Sequence, residues 1–190
     1  MSKDLISRLN EGPILCAEGY LFAMERRGYL QAGSFVPEVV LDHPEVVTQL
    51  HREFIRAGSD VVEAFTYYGH REKLRVIGKE ELLEPLQKNA LKIAKDAADE
   101  FKDLDLMIAG NICNTNIYDS NDKASHVECQ KMFEEQIAWA KEAGVDFIIA
   151  ETFSWLGETR IALKAIKDAG MIAVVNFTIF KGDLTVDGYT

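Results

Sequence analysis

The feature that most constrains the fold of this chain is a regular alternation between short apolar runs and longer stretches of helical periodicity. Short runs rich in β-branched and aromatic residues are typical of strands, whereas apolar residues spaced three and four apart are typical of helices that pack on one side. Glycine follows several of the helical stretches, as is usual where a helix ends. The predicted strands are 14–17, 60–68, 105–112, 145–150 and 171–179, and the predicted helices are 37–56, 79–101, 128–143 and 157–169.

This alternation predicts a parallel sheet with helices packed against it, because right-handed crossovers return each strand to the same sheet. Two architectures fit the pattern. An open doubly wound sheet of five strands fits the length, but the first turn, Glu18-Gly19-Tyr20-Leu21, has one glycine and places an acid where a dinucleotide phosphate would lie. A closed barrel needs eight strand–helix units and about 250 residues. The pattern alone therefore leaves an open sheet and an incomplete barrel as alternatives.

The composition is that of a globular protein with a hydrophobic core, since 47% of the residues are hydrophobic and 27% are charged. The net charge of −10 disfavours nucleic acid and anionic membrane surfaces as partners, because both would be repelled. No apolar run has the character of a secretory signal or the length of a membrane span, which predicts a cytoplasmic protein. Cys16, Cys113 and Cys129 are widely spaced, which indicates reduced thiols rather than disulfides.

Polar residues follow the predicted strands, at the ends where parallel strand–helix architectures gather their chemistry. Glu18 and Glu151 come directly after apolar runs. Burying two acids on one face is costly unless a cation pairs with them, and the ammonium group of an amino-acid substrate is a natural candidate. The alternative is that each acid caps a helix or accepts a hydrogen bond from a neighbouring backbone amide. The other polar residues at strand ends are Thr66, Tyr68, Asn111, Asn114, Thr152, Asn176 and Thr178.

A group of aromatic residues surrounds the first two predicted strand ends. Most are predicted to be core, and alternation along residues 60–68 places Phe65 and Tyr67 on the opposite face from Tyr68. The alternative is an aromatic wall for a quaternary ammonium group, whose charge is attracted to ring faces. The four histidines lack the spacing of metal ligands and are predicted to be surface or packing residues. The aromatic group consists of Tyr20, Phe22, Phe35, Phe65, Tyr67 and Tyr68.

Several segments distributed over most of the chain resemble the betaine–homocysteine methyltransferases of the homocysteine S-methyltransferase family. A resemblance of this extent is far more specific than any single motif. The segments are Arg26-Arg27-Gly28-Tyr29, Ala32-Gly33, Pro37-Glu38, His43-Pro44-Glu45-Val46-Val47, Gln49-Leu50-His51-Arg52-Glu53-Phe54, Arg56-Ala57-Gly58-Ser59, Phe65-Thr66 with Tyr68, Val145-Asp146-Phe147, Ala150-Glu151 and Gly182-Asp183-Leu184.

The resemblance implies an α/β fold, a (β/α)8 barrel of which residues 1–190 are the N-terminal portion of a single homocysteine-binding domain, with about the first five strands and four helices. It also implies a transferase of methionine biosynthesis, in which homocysteine binds zinc as a thiolate and attacks a methyl group of betaine or a related donor. Metal coordination favours this chemistry because a free thiol is mostly protonated at neutral pH. The implied partners are these small molecules, and a homo-oligomer remains open.

Site residues follow from the resemblance position by position. Glu18 with Gly19, and Glu151, match the residues that hold the amino-acid part of homocysteine. Tyr68 matches a tyrosine near the methyl donor, and Phe35 stands where the betaine enzymes carry a tryptophan. The chain departs from the family in having Glu18-Gly19-Tyr20 where Asp-Gly-Gly is usual, and Thr152 where a tyrosine usually follows the second acid.

Zinc is the cofactor that the resemblance implies, but its ligands in the family are a cysteine after the sixth strand and a pair of cysteines after the eighth. Cys16, Cys113 and Cys129 match none of these positions, so no metal site is predicted in the chain. The chain is therefore expected to be a truncated portion without methyltransferase activity of its own. The alternatives are a non-catalytic half-barrel that self-associates or docks on a partner, and a zinc-free enzyme with Glu18 and Glu151 as an acid/base pair.

Overall fold

The computed structural model describes residues 4–30, 36–180 and 182–190. Within these residues four strands form one parallel sheet, in which each strand pairs with the next along the chain. The prediction of a parallel α/β fold is confirmed. The strands are β1 (Val61–Glu63), β2 (Met107–Cys113), β3 (Phe147–Phe153) and β4 (Ile172–Phe177).

Long helices connect the strands, and shorter ones occupy the N-terminal third and the segment after β1. No helix among the described residues is long and apolar enough to cross a membrane. The helices are α1 (Leu5–Leu9), α2 (Tyr20–Arg26), α3 (Val39–Asp42), α4 (Pro44–Arg56), α5 (Arg71–Val76), a 3-10 turn (Glu80–Leu82), α6 (Leu83–Asp99), α7 (Lys123–Ala143) and α8 (Leu156–Asp168).

Three predicted helices have different bounds in the structure. The predicted helix 79–101 begins as the 3-10 turn and is α-helical only from Leu83 to Asp99. The predicted helix 37–56 is interrupted at His43, whose φ of −142° is not helical, because the residue before a proline is driven away from the helical region. Pro44 then begins α4, where its missing N–H costs no hydrogen bond. Helix α7 starts five residues before the predicted position, since the Asp122 side chain accepts a hydrogen bond from the N–H of Ala124 and caps the helix there.

The first two predicted strands are shorter than expected. The predicted strand 14–17 makes a single parallel bridge between Cys16 and Val61, because it has a sheet neighbour on one side and that neighbour, β1, is only three residues long. The predicted strand 60–68 ends at Glu63. Beyond it the N–H of Thr66 donates to the carbonyl of Ala64 at 2.8 Å, which turns the chain out of the sheet.

Strands β1, β2 and β3 are mostly buried on both faces, as the continuous apolar runs predict, whereas β4 is only partly buried and its last two residues are exposed. One face packs against α6, α7 and α8. The other carries alternate residues of the strands and forms a smaller cluster of Leu5, Val61, Met107, Ala109, Phe147 and Ile149. Because side chains alternate along a strand, Glu63, Asn111 and Glu151 continue this second face towards the carboxyl ends of β1, β2 and β3.

Gly110 of β2 packs tightly against Ala140 of α7 and Ile148 of β3. A Cβ atom added there would lie 2.8 Å from Cδ1 of Ile148 and 2.9 Å from Cβ of Ala140. We therefore expect Gly110→Ala to lower the free energy of unfolding by about 1–3 kcal/mol, the usual cost of overpacking a core. Urea denaturation would measure the loss. Gly12→Ala is the matched control, because nothing lies within 4 Å of its added Cβ, and equal midpoints for the two variants would contradict the expectation.

Candidate functional site

A cavity of about 530 Å³ opens at the carboxyl ends of β1, β2 and β3. Its position agrees with the general rule that parallel strand–helix folds place their sites at this end of the sheet. Apolar and aromatic side chains form most of the wall, with a few polar groups between them. The charged and polar wall residues that matter below are Glu18, Glu63, Tyr68, Lys73, Asn111 and Glu151.

Two carboxyl groups and one amide form the floor of the cavity. Nδ2 of Asn111 donates hydrogen bonds to Oε1 of Glu63 and to Oε1 of Glu151, each at 2.5 Å. Glu63 is 3% exposed and Asn111 is 4% exposed, whereas Glu151 is half-buried. The strand register brings the three together, since each lies on the same face of its strand and the three strands are neighbours.

Burial changes the protonation of both acids. Burial raises the pKa of Glu63 well above its ordinary value, and the nearby charge of Glu151 raises it further. Burial also raises the pKa of Glu151 to about 6, although the hydrogen bond from Asn111 opposes the change and the charge of Glu18 adds to it. Two carboxyl groups that share one donor in a partly dry site do not both ionise readily, so the more deeply buried Glu63 holds its proton more strongly than Glu151.

One buried polar atom of this cluster has no partner. Oδ1 of Asn111 makes no hydrogen bond to any of the described residues and is inaccessible to solvent. An unpaired buried acceptor costs free energy, which a bound ligand with an N–H donor would recover. Together with the carboxyl groups, this atom makes the floor of the cavity suited to an ammonium group.

The structure places most of the predicted site residues around this one cavity. Glu18, Gly19, Tyr68 and Glu151 all line it. Glu18 is exposed and lies at the rim, and Gly19 precedes α2 with a φ of 80°, a left-handed conformation that glycine adopts without strain. Phe35 lies outside the described residues.

Glu63 is one of the cavity residues that the sequence did not predict, and Lys73 of α5 is another. Glu63 lies inside the apolar run Val61-Val62-Glu63-Ala64-Phe65, where the predicted strand continues to Tyr68 and Glu63 is therefore not at a strand end. An acid within such a run is itself an available signal, because a carboxyl group is costly to bury without a partner.

The predicted orientation of the aromatic residues is wrong for Tyr67 and Tyr68. Both line the cavity, with ring centres 4.3 Å apart, rather than lying on opposite faces. The reason is that β1 ends at Glu63 and that Tyr68 has a left-handed backbone with a φ of 58°, so strand alternation no longer applies. Tyr20 and Phe65 are buried and stack on each other, in agreement with a core role.

Two histidines near the site are packing residues. Burial lowers the pKa of His51 to about 3, and its Nδ1 lies 3.0 Å from the hydroxyl of Tyr20. Burial also lowers the pKa of His70 to about 4, and its side chain accepts a hydrogen bond from the N–H of Lys73 at the start of α5. Both are neutral near pH 7.

A second cavity of about 650 Å³ adjoins the first and shares Phe22, Tyr67, Tyr68 and Thr152 with it. The hydroxyl of Thr152 lies within hydrogen-bond distance of two acceptors, the carbonyl oxygen of Glu151 at 2.7 Å and Oδ1 of Asn114 at 3.1 Å. Like Tyr68, Thr152 has a left-handed backbone, with a φ of 59°. The additional aromatic residues of this second cavity are Tyr118, Trp155 and Phe180.

The described part of the chain does not fit a zinc ion. No three histidine, cysteine or acidic side chains within it are arranged to hold a metal. Cys113 accepts a hydrogen bond from the N–H of Tyr68, and Cys129 lies 3.1 Å from the hydroxyl of Thr115, so these two thiols have separate partners. Burial raises the pKa of Cys16 and Cys129 to about 11 and that of Cys113 further, which keeps all three protonated.

Comparison with known proteins finds relatives of similar sequence and solved structures of similar fold. Betaine–homocysteine S-methyltransferase 1 of Mus musculus is 38% identical over 188 residues, which cover 96% of this chain and 45% of the mouse protein. The Bos taurus protein of the same name is 37% identical over 190 residues, covering 97% of this chain and 46% of its own length. The chain thus spans a little under half the length of these two relatives.

The fold is similar to that of a solved homocysteine methyltransferase. The metallated form of MmuM from Escherichia coli superimposes with a TM-score of 0.81, covering 97% of this chain and 70% of that one. At 20% identity this likeness shows the fold alone, an α/β fold of the incomplete barrel type. A sequence model described as homocysteine S-methyltransferase matches residues 19–190. Because that match covers most of the chain, the chain belongs to the homocysteine S-methyltransferase family.

Proposed function

We propose that residues 1–190 are the N-terminal portion of a single homocysteine-binding barrel domain, and that they bind the amino-acid part of homocysteine in a methyl transfer that yields methionine. The observation that carries this proposal is the floor of the 530 Å³ cavity, where Glu63 and Glu151 share the amide of Asn111 and leave its Oδ1 unpaired. An ammonium group fits this floor, since it carries three donors and a positive charge.

The electrostatics of the floor favour an ammonium group over a neutral one. A cation beside Glu151 lowers the pKa of that carboxyl, and Coulomb attraction in a partly buried site is several times stronger than in water. Glu18 at the rim adds a further acid to the same cavity. Glu18, Gly19 and Glu151 are therefore the residues that we assign to the amino-acid part of homocysteine, with Glu63 as an additional member.

We assign the methyl donor to the aromatic side of the cavity, at Tyr68 and at Phe35, which lies outside the described residues. The named relatives use betaine, a quaternary ammonium compound, and aromatic faces attract such cations. The aromatic walls of the adjoining cavity, including Tyr67 and Phe22, support the same assignment. Betaine or a related methylated compound is the proposed donor.

Zinc is the cofactor that we propose for the whole protein, where it would supply a thiolate from the homocysteine thiol. Because Cys16, Cys113 and Cys129 do not fit such a site, we assign the metal to none of them. The role proposed for this chain is binding and orientation of the two substrates.

Calorimetric titration of the reduced chain at pH 7.5 tests the ammonium site. L-homocysteine and 4-mercaptobutyrate differ only in the ammonium group, so we expect homocysteine to bind at least tenfold more tightly, which corresponds to about 1.4 kcal/mol. Glu151→Gln should abolish most of that preference. Glu128→Gln is the control, because Glu128 lies in an exposed ion pair with Lys131 on α7. Equal affinities for the two thiols in the wild-type chain would contradict the proposal.

A further inference from the structure

The charges in the 530 Å³ cavity are unevenly distributed. The acids Glu18, Glu63 and Glu151 lie on the side formed by the strand ends. Among the described residues that line the cavity, Lys73 of α5 is the only basic one. A cavity with acids at one side and a cation at the other suits ligands that carry both charges.

Among the residues that the structure describes, the ammonium group of Lys73 has no anionic partner. Its Nζ lies 4.0 Å from the centre of the Tyr68 ring, and none of the described carboxylates lies within ion-pair distance of it. The adjacent acid on α5, Glu72, is already paired with Arg75 at 2.7 Å. In contrast, the ammonium groups of Lys79, Lys88, Lys92, Lys131 and Lys164 each contact a carboxylate.

We infer that Lys73 binds the carboxylate of the methyl donor and thereby selects a donor that is a zwitterion. The inference rests on the proposed function, because it takes Tyr68 as the donor side of the cavity. Lys73 lies directly over the Tyr68 ring, so a carboxylate bound by its ammonium group would lie beside that ring. The quaternary ammonium end of the donor would then face the remaining aromatic rings, among them Phe22 and Tyr67.

Charge repulsion explains why such a residue is needed. Without Lys73, the acids would repel any carboxylate that entered the cavity, because like charges in a partly buried site interact strongly. A single cation at the donor side compensates for that repulsion there. It also discriminates against donors without a carboxylate, which would leave the ammonium group of Lys73 without an anion.

Betaine and choline provide the test, since both carry a trimethylammonium group and only betaine carries a carboxylate. Each would be titrated calorimetrically into the 190-residue chain saturated with L-homocysteine. We expect the wild-type chain to bind betaine on the order of tenfold more tightly than choline, because charge-assisted hydrogen bonds are among the strongest single contacts. Lys73→Gln should reduce the affinity for betaine to about that for choline and leave the affinity for homocysteine unchanged.

Two variants serve as controls. Lys73→Arg keeps the charge and should retain a preference for betaine. Lys131→Gln removes an equal charge from an exposed pair on α7 and should behave like the wild-type chain. Near-ultraviolet circular dichroism would verify that each variant is folded.

The titrations distinguish a failure of the proposed donor site from a failure of the role of Lys73. If the wild-type chain binds neither compound, the proposed donor site fails and this inference fails with it. If betaine is preferred by the wild-type chain and equally by Lys73→Gln, only the role of Lys73 is overturned. If Lys73→Gln weakens the binding of homocysteine instead, the carboxylate belongs to the amino acid and the assignment to the donor is overturned.

Discussion

Replacing Asn111 with leucine is expected to lower the free energy of unfolding by about 3 kcal/mol at pH 7.5. A hydrogen bond to a charged group, here Glu151, contributes about 1.5–3 kcal/mol and a neutral one about 0.5–1.5 kcal/mol, and a buried acceptor left without a donor adds its own cost. Asn111 is the amide that donates to both Glu63 and Glu151. Leucine is similar in size but offers neither carboxyl group a donor. The loss should be smaller at pH 4.5, where both carboxyl groups are protonated.

Urea denaturation at the two pH values would measure this effect. The double variant Asn111→Leu with Glu63→Leu should be measured beside it, because it removes the carboxyl group of Glu63 together with the amide that donates to it. Residues in one hydrogen-bond network are not additive, so the double variant should lose less than the sum of the two single variants. Two results would show that the amide of Asn111 does not stabilise Glu63 and Glu151. One is a loss of stability in the double variant equal to the sum of the two single variants, and the other is a loss in Asn111→Leu that is no greater at pH 7.5 than at pH 4.5.

The stability of the wild-type chain is expected to fall as pH rises through the range in which the site acids ionise. The pKa of Glu151 is raised by burial from 4.5 to about 6, so the folded chain holds this proton more tightly than the unfolded chain. The stability from this group is therefore fully present below about pH 4.5 and is lost as pH rises through about 6, a change of about 2 kcal/mol. Glu63, whose pKa is raised further, extends the loss in the same direction to higher pH.

The variant with both Glu63→Gln and Glu151→Gln isolates this effect. Urea denaturation at intervals from pH 4.5 to pH 8 would be compared for this variant and the wild-type chain. The difference between the two curves removes contributions from other groups, such as Glu158, whose pKa is also raised by burial. We expect the difference to grow in favour of the variant as pH rises. A difference between the two stability curves that does not change with pH would mean that ionisation of Glu63 and Glu151 does not destabilise the folded chain.

Much of the fold follows from the sequence because each element carries a local signal. The apolar runs around Ile108, Ile148 and Val174 are long enough to be buried on both sides, and each follows or precedes a helix with one apolar face. The ends of elements were harder to predict. The break at His43 is visible in the proline that follows. At the end of β1, the local turn at Thr66 is accompanied by a tertiary contact that the sequence does not reveal, since the hydroxyl of Thr66 donates to the carbonyl of Asn111 on β2 at 2.8 Å.

The candidate site likewise combines residues that a local sequence pattern predicts with residues that no local pattern predicts. Glu151 directly follows the predicted strand 145–150, so its place near the carboxyl end of β3 is evident from the sequence, although β3 continues to Phe153. The family resemblance adds Glu18, Gly19 and Tyr68. Glu63 is not predicted as a site residue, because the predicted strand runs to Tyr68 and places Glu63 in its middle. Its pairing with Glu151 through Asn111 depends on the register of three strands, which local patterns do not encode.

The two sides of the cavity rest on different kinds of backbone, and this affects how each is able to change in evolution. Glu63, Asn111 and Glu151 belong to strands whose register is fixed, so an insertion or deletion of one residue there would turn the acids to the opposite face and disturb the core at the same time. Tyr67 and Tyr68 lie on the connection after β1, and Lys73 lies on the six-residue helix α5 of the same connection. Such connections tolerate changes in length and sequence far better than strands do. We therefore expect the side formed by the strands, to which we assign the amino acid, to tolerate fewer changes in length than the side that we propose for the donor.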